Sequence, residues 1–368
     1  MHILVTADTL GGVWTYAREL VTGLAARGLR VTLVSFGDIL PGEQTRWIEG
    51  LRGVDYRPTA FKLEWMQNSE ADMETSSEYL QALVQETRPD LLHLSQFYYG
   101  ALECDVPRLV VAHSDVVSWW WAVHKGKPVE SAWLRWYREV VARGLAGASA
   151  VVAPSRWMLE QIALHYGKPP RAFVVHNGRT PSLFNPHAGK ERVAVTVGRL
   201  WDSGKNAGLL LREDMPVPVH IIGADRHPEL QNAAFAAEEL RPNIHLEPQQ
   251  DEKTLSAIFS RAAIYTATSQ YEPFGLAPLE AALSRCALVV SDILTFRELW
   301  NGAAIFFPND DAPHLREALE TLAADPRLCR RYANLAYDRA RRDYSASRMV
   351  DDYVGLYQSL VPAGAVTE

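Results

Sequence analysis

The sequence predicts an α/β protein built from two Rossmann-like parallel sheets. Short apolar runs alternate with segments whose apolar residues recur at spacings of three and four, and this alternation occurs in both halves of the chain. Glycines punctuate the ends of several runs, at Gly11-Gly12, Gly198 and Gly223. A length of 368 residues suffices for two domains of ordinary size.

Composition narrows the function classes. Hydrophobic residues make up 48% and charged residues 22%, as in a globular protein that stays in water. The net charge of −7 gives a nucleic-acid partner no general electrostatic support. Cys104, Cys286 and Cys329 show neither metal-ligand spacing nor a pairing pattern, which fits packing thiols in a reducing cytoplasm. Met1–Thr6 lacks the basic flank of a signal peptide, and no apolar run is long enough to span a bilayer. Low-complexity tracts and repeats of 20–50 residues are absent from the sequence.

In order, His2–Thr6 reads as a buried strand. A helical stripe follows (Trp14, Ala17, Leu20, Val21, Leu24), closed by Gly28, and then a strand over Val31–Phe36. This is a βαβ unit. Its first loop is not the dinucleotide fingerprint, since no third glycine follows at the right spacing. Gly11 and Gly12 still let a ligand approach the backbone closely. Ser77–Glu86 reads as helix, and Leu91–Leu94 and Leu109–His113 as strands. His113 falls at a strand's carboxyl end, where open α/β sheets bind ligands; a buried structural histidine is the competing reading.

Residues 119–136 hold five of the 11 tryptophans: Trp119, Trp120, Trp121, Trp133 and Trp136. Lys125, Lys127, Arg135 and Arg138 lie among them or close by. Stacking on an acceptor sugar, contact with a membrane surface, and packing of a helix over about Glu130–Leu145 onto the sheet are all open, and Tyr137, Val140 and Val141 on one face favour packing. Ala150–Ala153 is a strand, Ser155 an N-cap, Phe173–Val175 a further strand, and His176-Asn177-Gly178 a turn.

The second half repeats the pattern. Strands are expected at Val193–Val197, Val219–Ile222, Ile244–Leu246, Ile264–Ala267, Leu288–Ser291 and Ile305–Phe307. A helix is expected between the second and third of these. Lys205-Asn206 opens a short helix. Others run over Leu255–Arg261, His314–Ala323, Arg327–Arg342 and Ser347–Leu360. Arg199 and Lys205 follow the first of these strands, a pair suited to a phosphate: Arg by two parallel hydrogen bonds, Lys as a compact charge. Thr268–Leu283, TSQYEPFGLAPLEAAL, runs from a loop into a helix starting near Gly275 or Leu276, with Pro278 in the first turn. Its N-terminus is a ready anion site. Glu272 precedes it and Glu280 lies about one turn inside; the two could hold hydroxyls, and the competing reading is a solvated loop acid and a carboxylate that complements the helix dipole.

Glu272 and Glu280, separated by seven residues that include Phe274, Gly275 and Pro278, resemble the E-x7-E motif of the retaining family-4 glycosyltransferases. Other segments resemble that family in the same order: the Gly11-Gly12 loop, His113 after its strand, APSRWMLEQI over Ala153–Ile162, the Asn177-Gly178 to Phe184-Asn185-Pro186 linker, GRLWDSGKN from Gly198, and Phe296-Arg297-Glu298. Arg285 and Ala287 depart from the family's usual Gly and Pro, and Ser114-Asp115 replace a frequent second His. The resemblance implies the GT-B architecture, with two Rossmann-like domains facing across a cleft: 1–186 on the acceptor side, 187–345 on the donor side, and 346–368 crossing back. It implies transfer of a hexosyl group from a nucleotide sugar (UDP favoured, GDP next) to a saccharide, lipid-linked or small-molecule acceptor, with retention. No metal or other cofactor is expected.

In that reading Arg199 and Lys205 hold the diphosphate with the N–H groups of Leu276 and Ala277. Glu280 takes the ribose and Glu272 the transferred sugar. Gly198, Phe274 and Gly275 shape the donor site, while His113, Gly11 and Gly12 approach from the first domain. The expected location is cytoplasmic, with contact at the inner membrane face left open. Rival readings are a catalytically silent binding protein on the same fold, a glycoside hydrolase and a sugar-nucleotide epimerase.

Overall fold

A computed structural model describes residues 1–226 and 240–361. The helix expected between Gly223 and Ile244 falls on 227–239, outside the described residues, as does the end of the expected C-terminal segment, 362–368. The chain forms two compact units. One comprises Met1–Trp120, Gly126–Gly178 and the segment from Ala346 onward; the other comprises Trp121–Lys125 and Arg179–Ser345. No described helix is long and apolar enough to cross a membrane.

The first unit holds a seven-stranded parallel sheet: β1 (His2–Asp8), β2 (Arg30–Phe36), β3 (Val54–Pro58), β4 (Leu91–Leu94), β5 (Arg108–Val111), β6 (Ala150–Ala153) and β7 (Ala172–Val174). The spatial order is 3-2-1-4-5-6-7, so the winding reverses between β1 and β4. β1 is buried throughout, as a strand covered on both faces must be. The helices are α1 (Gly12–Ala26), the single turn α2 (Gly42–Thr45), α3 (Glu70–Thr87), α4 (Val116–His124), which runs on into the second unit's residues, α5 (Ala132–Gly147), α6 (Arg156–Tyr166) and α12 (Ala346–Leu360). Two cores flank the sheet. One lies under α3 and α5. The other takes Leu20, Val21 and Leu24 from α1 and Met349, Val350, Tyr353 and Tyr357 from α12.

The second unit holds β8 (Glu191–Val197), β9 (Val219–Ile222), β10 (Ile244–Glu247), β11 (Ala262–Ala267), β12 (Ala287–Ser291) and β13 (Ala304–Phe307), all parallel, in the order 10-9-8-11-12-13. Here the reversal falls between β8 and β11. Its helices are α7 (Glu252–Arg261), α8 (Leu276–Leu283), α9 (Leu294–Trp300), α10 (Ala312–Ala324) and α11 (Pro326–Asp343).

Several elements differ from expectation for identifiable reasons. The helix expected at Ser77 starts at Glu70, because acidic Glu70 and Asp72 suit a first turn and Met73 reaches the core. β3 is a half-exposed edge strand ending at Pro58, so it lacks the apolar run that marks a buried strand. α4 is capped by Asp115, whose carboxylate accepts from Val117 N (2.9 Å) and Ser118 N (3.0 Å). The short helix expected to open at Lys205-Asn206 begins at Ala207 instead, as a 3₁₀ helix over Ala207–Leu211, because Asn206 is left-handed at φ 50°. On α5 the buried face is Leu134, Tyr137, Val140, Val141 and Leu145; Trp133 and Trp136 are partly buried against that core, at its margin.

Candidate functional site

The second unit's candidate residues gather where its sheet order reverses, on the loops after β8 and β11. Such a switch point opens a crevice outside the carboxyl ends of the strands. Three hydrogen bonds lace the two loops together. Gln270 N and Tyr271 N donate to Gly204 O (2.8 and 3.2 Å), and Thr268 Oγ1 donates to Lys205 O (2.8 Å). Across them Lys205 Nζ pairs with Glu272 Oε2 at 2.5 Å, the lysine 24% and the glutamate 12% exposed. Arg199 is more open, at 45%; its Nη2 pairs with Asp202 Oδ2 at 2.7 Å and its guanidinium lies 5.2 Å from the Trp201 ring. Asp202 also accepts from Gly204 N at 2.8 Å, which shapes the turn that delivers Lys205.

The loop is close-packed from below. A Cβ on Gly223 would stand 1.7 Å from Gly198 O, so only glycine lets the end of β9 pass the end of β8. Gly198 N donates to Ile222 O at 3.0 Å and Leu200 N to Ala224 O at 2.8 Å. Phe274 is buried in the unit's core and fixes the loop before α8. Gly275, at φ 93°, is the N-cap of α8, with Glu272 and Pro278 packed against it. Among the described residues no side chain caps this helix end, so the amides of Leu276 and Ala277 point out of the first turn, and Pro278 has none to offer. Glu280 lies one turn inside, 13% exposed, with Oε1 2.8 Å from Arg179 Nε.

Arg179 is the residue that sequence reasoning missed. It is 1% exposed, pairs with both Glu280 and Glu252, and lies 5.4 Å from the Phe184 ring. An arginine right after the Asn177-Gly178 turn was the only signal, and its partners lie far along the chain.

In the first unit Gly11 caps α1 at φ 73°, and Gly12 opens the helix. The loop is held by Asp8, whose Oδ1 accepts from Leu10 N at 2.6 Å. His113 follows β5, partly buried. Its Nε2 lies 3.3 Å from Ser95 Oγ and its ring meets the Tyr16 ring edge-on at 4.6 Å. Burial lowers its pKa to about 3, so the imidazole is neutral at physiological pH, able to give or take a hydrogen bond. Behind it, fully buried His93 shares hydrogen bonds with Tyr16 OH (2.9 Å) and Tyr357 OH (2.8 Å) and is likewise lowered by burial to about 3. Burial raises Glu64, which accepts from Phe97 N and Tyr98 N, to about 7.

The structure thus brings Gly198, Arg199, Lys205, Glu272, Phe274, Gly275, Leu276, Ala277 and Glu280 together in the second unit, and it places Gly11, Gly12 and His113 on strand-end loops of the first. Chemically, the second-unit group offers two cations and a helix N-terminus for an anion, with two carboxylates for hydroxyls. Among the described residues no group of three His, Cys, Asp or Glu side chains could hold a metal.

The chain resembles known proteins in sequence and in fold. The family model described as Glycosyltransferase Family 4 matches residues 10–183, and that described as Glycosyl transferases group 1 matches 184–339. The alpha-maltose-1-phosphate synthase of Mycobacterium tuberculosis is 25% identical over 299 residues, covering 72% of this chain and 76% of that protein. The sucrose-phosphate synthase from Thermosynechococcus elongatus superposes with a TM-score of 0.77 at 17% identity, covering 98% of this chain and 99% of the other. The Anabaena protein Alr3699/HepE, crystallised with UDP-glucose, gives 0.73 at 15% identity, covering 98% and 100%.

Proposed function

We propose, from the premise that this chain belongs to the family 4 and group 1 glycosyltransferases and has their GT-B fold, that it moves a hexosyl group from a nucleotide-diphosphate sugar to a saccharide, lipid-linked or small-molecule acceptor, with retention of configuration. One observation carries the reading most: the Lys205–Glu272 pair, set beside the uncapped N-terminus of α8 at the switch point of the second sheet. In this proposal Lys205 and Arg199 take the diphosphate, together with the amides of Leu276 and Ala277. As the bond to the sugar breaks, the leaving diphosphate gains negative charge. Fixed cations and amide dipoles then stabilise it more than they stabilise the bound donor.

Glu272 holds the transferred sugar by its hydroxyls, and its ion pair with Lys205 keeps that carboxylate in place. Glu280 receives the ribose. His113, kept neutral, hydrogen-bonds the sugar, and Gly11 and Gly12 let the donor approach the backbone, as the family resemblance implies. UDP is the first nucleotide to try, since the Anabaena neighbour was crystallised with UDP-glucose; GDP is second. Two relatives carry names of sugar-phosphate synthases, which supports a saccharide among the acceptor classes.

The test is thermal unfolding with UDP, GDP, ADP and TDP, without added metal. A ligand of the folded state adds about 2.7 kcal/mol of stability at a hundredfold excess over its Kd. A shift with one diphosphate, followed by acceptor-dependent release of that diphosphate from its hexose conjugate, is the expected result. Folded protein that responds to none of the four overturns the reading and favours a hydrolase or a silent fold. Release without any acceptor, or conversion of the donor to an isomer, favours a hydrolase or an epimerase.

A further inference from the structure

We infer that Arg179 is a positioning residue for the donor: it holds the Glu280 carboxylate in one rotamer, and thereby sets the nucleotide affinity of the second unit. The inference rests on the proposed ribose role of Glu280. Its ground is geometric. Arg179 is 1% exposed, and a buried guanidinium is tolerated only when carboxylates and packing surround it. Its Nε lies 2.8 Å from Glu280 Oε1, and its Nη2 pairs with Glu252, the first residue of α7. The Phe184 ring covers one face. The rigid fork of a guanidinium can serve two carboxylates at once, which the point charge of a lysine cannot.

The backbone of the same residue is also pinned. Arg179 N donates to Tyr344 O at 3.1 Å, and Arg179 forms a parallel bridge with Ser345. Arg179 and Ser345 are the first and last residues of the second unit's main segment. The carboxylate proposed to read the ribose is therefore braced against the pair of segments that bound the unit. It is braced equally against the start of α7. A tether of this kind holds Glu280 before any ligand arrives, so less freedom is lost on binding.

The experiment measures the Kd of the responsive nucleoside diphosphate by calorimetry, and KM and kcat for its hexose conjugate. It compares wild type, Glu280→Gln, Arg179→Lys, Arg179→Gln and each Arg179 variant combined with Glu280→Gln. Both Arg179 variants are expected to weaken nucleotide binding and raise KM about tenfold, with kcat at saturating donor within about threefold of wild type. In the Glu280→Gln background the same substitutions should change Kd by less than about twofold, because the group they act through is already gone. Whichever Arg179 variant melts cooperatively serves as the readout, alongside Glu252→Gln, which keeps the Arg179–Glu280 contact and should lower the melting temperature with little change in Kd. An Arg179 variant with wild-type Kd and KM, or one whose loss is undiminished when Glu280 is also changed, overturns the inference alone. Wild-type protein that binds no nucleoside diphosphate overturns both it and the proposed function.

Discussion

Lys205 and Glu272 form a pair in which each side chain answers for the other. Removing the lysine leaves a largely buried carboxylate without its cation and strips one charge from the proposed diphosphate site. Lys205→Ala is expected to lower donor turnover by about a hundredfold to a thousandfold, the loss typical of one transition-state contact. Circular dichroism should report an unchanged fold. Turnover within a few-fold of wild type would remove the phosphate role. His93 supports a pH prediction. Its folded pKa of about 3 lies below the 6.5 of an exposed imidazole, so the unfolded chain binds the extra proton between those values. Stability from this group is complete above pH 6.5 and falls as the pH drops toward 3. His113 acts in the same direction, while Glu64, raised from 4.5 to about 7, acts oppositely, its contribution lost as the pH rises through 7. His93→Gln should therefore flatten the fall in stability between pH 6.5 and 4.5 by one proton, about 1.4 kcal/mol per pH unit, as read from denaturant midpoints. At this scale the sequence disclosed what lies on one continuous segment. Glu272, Gly275 and Glu280 share a loop and a helix, so their spacing already encodes their geometry. Arg179, Glu252 and Glu280 come from three separate elements, and no local pattern marks a buried ion pair.

Elements were legible where burial forces a pattern. The strands at the centre of each sheet are apolar runs because helices cover both faces, and the stripes of α1, α5 and α12 mark the faces they bury. β3 escaped because an edge strand needs no such run. α4 escaped because its Trp-rich sequence is apolar all round and shows no stripe, its start being signalled only by Asp115. Two close approaches carry predictions. Gly223→Ala forces its new methyl against the carbonyl oxygen of Gly198, which has no room to yield. The expected cost is about 3 kcal/mol or more, with loss of nucleotide binding, since the Gly198–Lys205 loop rests on this contact. A variant that melts like wild type would show that the loop can move aside. Tyr357→Phe takes one of two hydroxyl partners from His93 in the core beneath α12. About 1–3 kcal/mol of destabilisation is expected, measurable by urea denaturation, with donor KM unchanged.

Each unit has its own pair of cores, one on each face of its own sheet. Unfolding is therefore expected to depart from a single two-state transition. Calorimetry should resolve two components, and the responsive nucleoside diphosphate should raise the one belonging to 179–345 while the other stays in place. Hydrogen exchange identifies which peptides move with which component; equal shifts in both would contradict the assignment of the donor to the second unit. The architecture at this scale was legible because strand–helix alternation is repeated along the whole chain, whereas the bounds of each unit depend on contacts between distant segments. The first unit is discontinuous, its second core closed by Met349, Val350, Tyr353 and Tyr357. On the ribosome this reverses the order of completion. Residues 179–345 emerge as one uninterrupted piece and can finish folding while the earlier-made unit still exposes the groove meant for α12. At about 5–20 residues per second that groove stays open for roughly 10–30 s. During that interval it is a natural point of attachment for a chaperone, and for misassembly between neighbouring nascent chains.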